Sequence, residues 1–133
     1  MSARIFESFA VAALLCVSGN VAAQSGDGSF ESSDRFMEKN GEAVFKNVCA
    51  ACHMPDAKGA GGAARYPALQ MNGKLAAAAY PVFMVVNGRG AMPPFARTLT
   101  DEQIAGVVDY VRTHFGNDYK DAVMPADVKS VRP

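Results

Sequence analysis

Cys49-Ala50-Ala51-Cys52-His53 is the stretch on which the reading of this chain turns. Two thiols separated by two residues and followed directly by an imidazole form the C-x-x-C-H pattern of covalent haem attachment. On a helical turn, each thiol can add to one of the two vinyl groups of a porphyrin. The next residue, His53, then projects its ring at the iron from the proximal side, as an axial ligand must. Competing chemistries lack their context. A thioredoxin-like redox pair belongs to a βαβ unit, and no such pattern surrounds Cys49. A zinc site needs four donors. Here they would be Cys49, Cys52, His53 and the distant His114, and the adjacency of Cys52 and His53 makes a tetrahedral closure awkward.

A second strong ligand would have to come from elsewhere in the chain. The candidates are His114 and Met37, Met54, Met71, Met84, Met92 and Met124. Met54 adjoins His53 and cannot reach the opposite face. Met37 reads as part of an apolar helix face, and Met84 sits in an apolar helical run where core packing is its expected role. His114 falls near a helix C-terminus, where a histidine complements the dipole. Met92 differs. It lies in Gly88-Arg89-Gly90-Ala91-Met92-Pro93-Pro94-Phe95, which glycine and proline keep out of helix and strand. The two prolines stiffen the loop, and the chain between His53 and Met92 is long enough to wrap round a haem. His53 and Met92 are therefore the expected axial pair, and an ordinary loop methionine is the alternative.

The amino-terminal residues read as an export signal. Arg4 supplies positive charge, and an apolar stretch from Phe9 to Val17 has the length of a signal core. Ser18, Gly19 and Asn20 break it, and Val21-Ala22-Ala23 offers the small residues of a cleavage site. An uncleaved anchor is the alternative, and Leu15 argues against lipoprotein processing at Cys16. Cleavage after Ala23 would deliver the chain to the periplasm with Cys49 and Cys52 as its only cysteines.

Composition bounds the remainder. The 133 residues and 14.0 kDa leave room for one domain. With 50% hydrophobic and 20% charged residues, the chain is neither a disordered tail nor a collagen-like repeat. Thirteen basic residues balance thirteen acidic ones, which excludes the electrostatic footprint of a general nucleic-acid binder. No apolar run approaches the ~20 residues needed to span a bilayer.

Helix signals dominate the chain beyond residue 24. Phe36, Val44, Phe45 and Val48 lie on helical spacing leading into Cys49. Pro81 fits a first helical position before apolar Val82 to Val86, and Asn87-Gly88 ends that run. Thr100-Asp101-Glu102-Gln103 is a capping-box start, and Ile104, Val107, Val108 and Val111 behind it form an amphipathic stripe. Phe115-Gly116-Asn117 closes that helix. Met124 to Val128 predicts one turn that packs back, and Gly59-Ala60-Gly61-Gly62 reads as a loop. Strand signals are nearly absent, so the expected fold is all-α, with three to five helices. The expected segments are a signal over 1–23, a flexible leader and helix start over 24–39, a domain over 40–116 and a tail over 117–133.

From about Asn40 to Phe115 the chain resembles a class I, single-haem bacterial cytochrome c. Three features carry the resemblance: Cys49-Ala50-Ala51-Cys52-His53, Tyr66-Pro67-Ala68-Leu69 and Gly90-Ala91-Met92-Pro93-Pro94-Phe95. It implies a cytochrome c fold around one covalently bound haem c. The Pro67 carbonyl would accept the second ring N–H of His53, strengthening that ligand. The first and last helices would cross closely at Gly41, flanked by Phe45 and Tyr110. Pro67 and Leu69, with Val82, Val86, Phe95, Leu99 and Val108, are the candidates for haem packing.

The implied function is one-electron transfer, with no catalytic residue of its own. The cytochrome subunits and companions of periplasmic dehydrogenases share this pattern. They include flavoenzymes of the p-cresol methylhydroxylase and amine-oxidising kinds, and quinoprotein or gluconate dehydrogenases. A flavoprotein donor and a terminal oxidase or another cytochrome as acceptor are the expected partners, with no nucleic acid and no membrane span after signal cleavage. Met54, Ala60, Gly61, Ala91, Pro93 and Pro94 would form a largely apolar docking edge. If Met92 does not ligate, a five-coordinate haem enzyme or a gas or redox sensor is the alternative. Without haem, the chain would be a metal-binding or structural module.

Overall fold

Asn40 opens the attachment helix by a side-chain cap, its Oδ1 accepting from the Ala43 N–H at 2.8 Å. The computed structural model describes residues 36–62 and 65–133, so the expected signal and most of the expected leader lie outside the described residues. The attachment helix runs in three pieces: α1 (Gly41–Val44), a π-type turn (Phe45–Cys49) and α2 (Ala50–His53). In that turn the Ala50 N–H donates to the Phe45 carbonyl, five residues back. One extra residue per turn offsets the faces on either side by about 100°. Val44 and Phe45 are thus buried in the core, while Cys49, Cys52 and His53 line an open cleft. Met37, expected on a helix face, precedes the helix and is exposed.

The longest helix, α4 (Asp101–Thr113), begins with the capping box read from the sequence. The Gln103 N–H donates to Thr100 Oγ1 at 3.2 Å, and the Thr100 N–H donates to Gln103 Oε1 at 2.8 Å. Gln103 Nε2 also donates to the Phe36 and Glu38 carbonyls, tying down the segment that enters α1. Ile104, Val107, Val108 and Val111 are all buried, as the stripe requires. Where α1 crosses α4, backbone meets backbone: a Cβ on Gly41 would lie 1.9 Å from the Gly106 carbonyl oxygen. Phe45 packs beside this crossing, its ring centroid 5.6 Å from that of Tyr110 and 4.8 Å from that of Phe115. Helix α4 stops at Thr113, and left-handed Phe115 and Gly116 turn the chain back.

Helix α3 (Ala79–Asn87) starts before Pro81, so that proline sits inside the first turn rather than at its first position. Gly88, with φ of 69°, ends it. The last helix, α5 (Pro125–Ser130), extends slightly past the expected single turn and packs on α4 and α3 through Val128. The protein is mostly helical, but the all-α expectation needs one amendment. Ala60–Gly61 (β1) pairs antiparallel with Arg65–Tyr66 (β2), in register Ala60 to Tyr66 and Gly61 to Arg65. Among the described residues no helix is long and apolar enough to cross a membrane.

Two buried polar side chains take the place of missing regular structure. Arg112, fully buried, donates to the Leu75 carbonyl at 2.9 Å and the Ala76 carbonyl at 3.1 Å, and pairs with Asp121 at 2.6 Å. Asn117 accepts from the Asn72 N–H at 2.8 Å, and its amide donates to the Leu69 and Val111 carbonyls. Both fasten the 69–76 segment to the end of α4. Gly41→Ala should destabilise the protein by about 1–3 kcal/mol through overpacking at the crossing. Urea unfolding of the variant checks this, and an unchanged midpoint would show that the helices separate without cost.

Candidate haem-binding cleft

Three loops converge on the attachment helix, and each is held by a glycine or by paired backbone bonds. After His53 the chain turns through left-handed Met54 and Ala57, and the Gly59 N–H donates back to the His53 carbonyl at 3.0 Å. The Ala57 carbonyl accepts from the Leu69 and Gln70 N–H groups at 2.8 and 3.1 Å. These bonds lay the Tyr66–Leu69 segment across the end of α2. Gly59, with φ of 69°, lies so close that a Cβ there would meet the Tyr66 carbonyl oxygen at 2.1 Å.

The result is a defined environment for one imidazole. His53 is buried, and its Nδ1 lies 2.9 Å from the Pro67 carbonyl oxygen. A carbonyl can only accept, so Nδ1 carries the proton and Nε2 is left with its lone pair for a metal. Met92 is presented from the far loop by a tight reverse turn. The Arg89 and Met92 backbones exchange hydrogen bonds of 2.9 and 3.1 Å around Gly90-Ala91, with Gly90 at φ of 60°. Gly88 lies against the Met92-Pro93-Pro94 backbone, with a would-be Cβ 2.5 Å from the Met92 carbonyl oxygen.

Between these elements lies a cleft in two adjoining parts of about 200 and 560 Å³. Cys49, His53, Pro67 and Met92 line both parts, and Cys52 lines the larger. The walls are mostly aliphatic, with Leu69, Leu75, Val85, Val107 and Val108 on the inner part. Phe95 lines the outer part. Of the other residues expected to pack there, Val82, Val86 and Leu99 are buried in the core and do not line the cleft. Met84, expected in the core, does line it. His114 stays outside, stacked on Tyr110 at 4.1 Å with Nδ1 at 2.8 Å from the Tyr110 carbonyl. On the expected docking edge, Gly61, Ala91, Pro93 and Pro94 are exposed, and the structure adds exposed Arg65 and Arg89 beside them.

Burial pushes the Cys49 thiol up to about 12, with the neighbouring Cys52 adding to the effect. A redox-exchange pair needs a thiolate at neutral pH, so the environment opposes thioredoxin-like chemistry. Among the described residues no three His, Cys, Asp or Glu side chains are grouped to hold a metal ion by themselves. An apolar slot lined by two thiols, one oriented imidazole and a loop methionine fits a porphyrin, as a class I c-type cytochrome requires. Residues 37–111 match the family model described as cytochrome c oxidase, cbb3-type, subunit III, and the chain belongs to that family of c-type cytochromes.

The fructose dehydrogenase cytochrome subunit of Gluconobacter japonicus is 38% identical over 109 residues, which cover 70% of this chain and 22% of that one. A cytochrome c6 of Bumilleriopsis filiformis is 38% identical over 80 residues, 55% of this chain and 86% of that one. A cytochrome c6 of Synechococcus elongatus is 42% identical over 74 residues, covering 54% and 84% respectively. The protein is an electron-transfer cytochrome whose cofactor is a c-type haem. Gly59→Ala should lower both holoprotein yield and thermal stability, because it strains a left-handed backbone and pushes on Pro67. Gly61→Ala, with nothing within 4 Å of the added methyl, should leave both unchanged. Equal behaviour of the two variants in a melting experiment would remove any structural role from Gly59.

Proposed function

We propose that this protein is a periplasmic one-electron carrier with His53 and Met92 as its axial ligands, reduced by a dehydrogenase and oxidised by the respiratory chain. The observation that carries the reading is the 2.9 Å contact of His53 Nδ1 with the Pro67 carbonyl, in a cleft that Met92 also lines. That contact fixes the ring and its tautomer, and it raises the basicity of Nε2. Cys49 and Cys52 would form the two thioether bonds, and Pro67 and Leu69 would pack on the porphyrin. Bound there, the haem supplies a ferric–ferrous couple. The Met92 thioether is a soft donor that favours the ferrous state, and the aliphatic walls disfavour the extra positive charge of the ferric one. With His53 and Met92 both holding the iron, no site would remain for substrate.

Partner and route rest on analogy and on the surface. The likeness to a fructose dehydrogenase cytochrome subunit favours a dehydrogenase donor, and a flavoprotein is the class we assign. A terminal oxidase or another cytochrome is the acceptor. The exposed Ala91, Pro93 and Pro94 would meet the donor, with Arg65 and Arg89 at the sides. Export through cleavage after Ala23 would bring the chain to the periplasm.

The optical spectrum of the ferric holoprotein tests the ligation. A low-spin spectrum with a methionine-to-iron charge-transfer band is expected, and high-spin iron would favour the five-coordinate enzyme or sensor instead. Met92→Ala should abolish that band, lower the reduction potential and admit cyanide or carbon monoxide quickly. Unchanged potential and ligand binding would move the axial role to another residue. Electron transfer from the donor should depend only weakly on ionic strength, and a rate that fell steeply with salt would replace the apolar edge by a charge-steered one.

A further inference from the structure

A thioether carried on a loop is only as well placed as the chain on both sides of it. Before Met92, the hydrogen bonds of the Arg89–Met92 turn hold the chain. After it, Pro93 and Pro94 have no N–H to give. The next backbone bond is donated by the Phe95 N–H to the Val85 carbonyl at 3.0 Å. The Phe95 carbonyl then accepts from the Thr98 and Leu99 N–H groups at 3.1 and 3.0 Å, and the Thr98 carbonyl accepts from the Phe36 N–H at 3.1 Å. This turn joins the Met92 loop to α4.

Two carbonyls of the turn are left over. No backbone N–H among the described residues donates to Ala96 or Leu99, and Leu99 is buried. Such groups weaken a turn unless a side chain meets them. A single guanidinium meets both. Arg132 Nη1 donates to the Ala96 carbonyl, Nη2 donates to the Leu99 carbonyl at 2.9 Å, and Nε donates to Asp101 Oδ1 in the first turn of α4. A planar fork that reaches three acceptors holds a geometry in a way that an ammonium cannot.

The base of that side chain is itself fixed. Val123 and Val128 are buried. The Val123 N–H donates to Asp109 Oδ1 at 2.9 Å, and the Met124 N–H donates to Asp127 Oδ2 at 2.9 Å. Helix α5 lies against α3 and α4, the two helices that the Met92 loop connects. Arg132, just past α5, therefore reaches the turn from a frame built on both ends of the loop.

We propose that Arg132 is a positioning residue for the Met92 loop: it locks the turn over residues 96–99 and so sets how often the thioether leaves the iron and admits a foreign ligand. The inference rests on Met92 holding the iron. Arg132 does not line the cleft, so it acts through the turn alone.

Cyanide binding to the ferric holoprotein, measured alongside amide hydrogen exchange, tests this. Arg132→Gln should keep the methionine-to-iron band yet bind cyanide about tenfold faster, the scale on which a charge-assisted hydrogen bond acts. Its Thr98 and Leu99 amides should exchange faster, while those of Val107 and Val108 in α4 keep their rates. Arg132→Lys should recover part of the difference, and Arg97→Gln, exposed on the same turn, should change nothing. Wild-type cyanide binding in Arg132→Gln, or an equal acceleration of the α4 amides, would overturn the assignment while leaving the ligation intact. An unsubstituted protein that lacks the methionine band and binds cyanide quickly would overturn the ligation by Met92, and this inference with it.

Discussion

The contact of Gly41 with Gly106 is the constraint on which the rest of the protein depends. A protein that encloses a large planar group cannot place its hydrophobic core at its centre, because the centre is where the group lies. Here the core is displaced to the α1–α4 crossing and the aromatic cluster of Phe45, Tyr110 and Phe115 beside it. The two glycines allow the backbones to touch, which fixes the line of the attachment helix. The π-type turn then rotates that line's far end toward the cleft. Without the close crossing, the thiols and the imidazole would have no fixed direction.

Loops that line a hollow cannot be held by packing alone, and in this fold side chains from α4 and its neighbours grip their carbonyl groups instead. Arg112 and Asn117 hold the 69–76 segment, and Gln103 holds the segment entering α1. A guanidinium buried without exposure is tolerable only when its donors are met, and Arg112 meets backbone carbonyls and Asp121 together.

These two kinds of order differ in how far sequence exposes them. The attachment motif, the Thr100–Gln103 capping box and the apolar stripe of α4 are local patterns, and each is legible because neighbours along the chain make the interaction. The helix crossing is legible by half: Gly41 stands out beside the motif, whereas Gly106 is hidden inside a helical stripe. Arg112 reads as an ordinary polar residue and Asn117 as part of a helix stop, since the Leu75 and Leu69 carbonyls that they hold lie more than thirty residues away along the chain. The β1–β2 pair escapes a sequence reading because strands of two residues are too short to carry an alternation. Met84 reads as a core residue because an apolar helix face looks the same whether it meets protein or a cofactor.

The carboxyl end carries a mechanical consequence. Arg132, just beyond α5, binds Asp101 and the Ala96 carbonyl, and donates to the Leu99 carbonyl at 2.9 Å. Those carbonyls belong to the stretch just after the Met92 turn. Tension on the last few residues is therefore passed to the segment that follows the Met92 turn, and the tail behaves as a tether whose slackening would loosen that side of the cleft while leaving the attachment helix undisturbed.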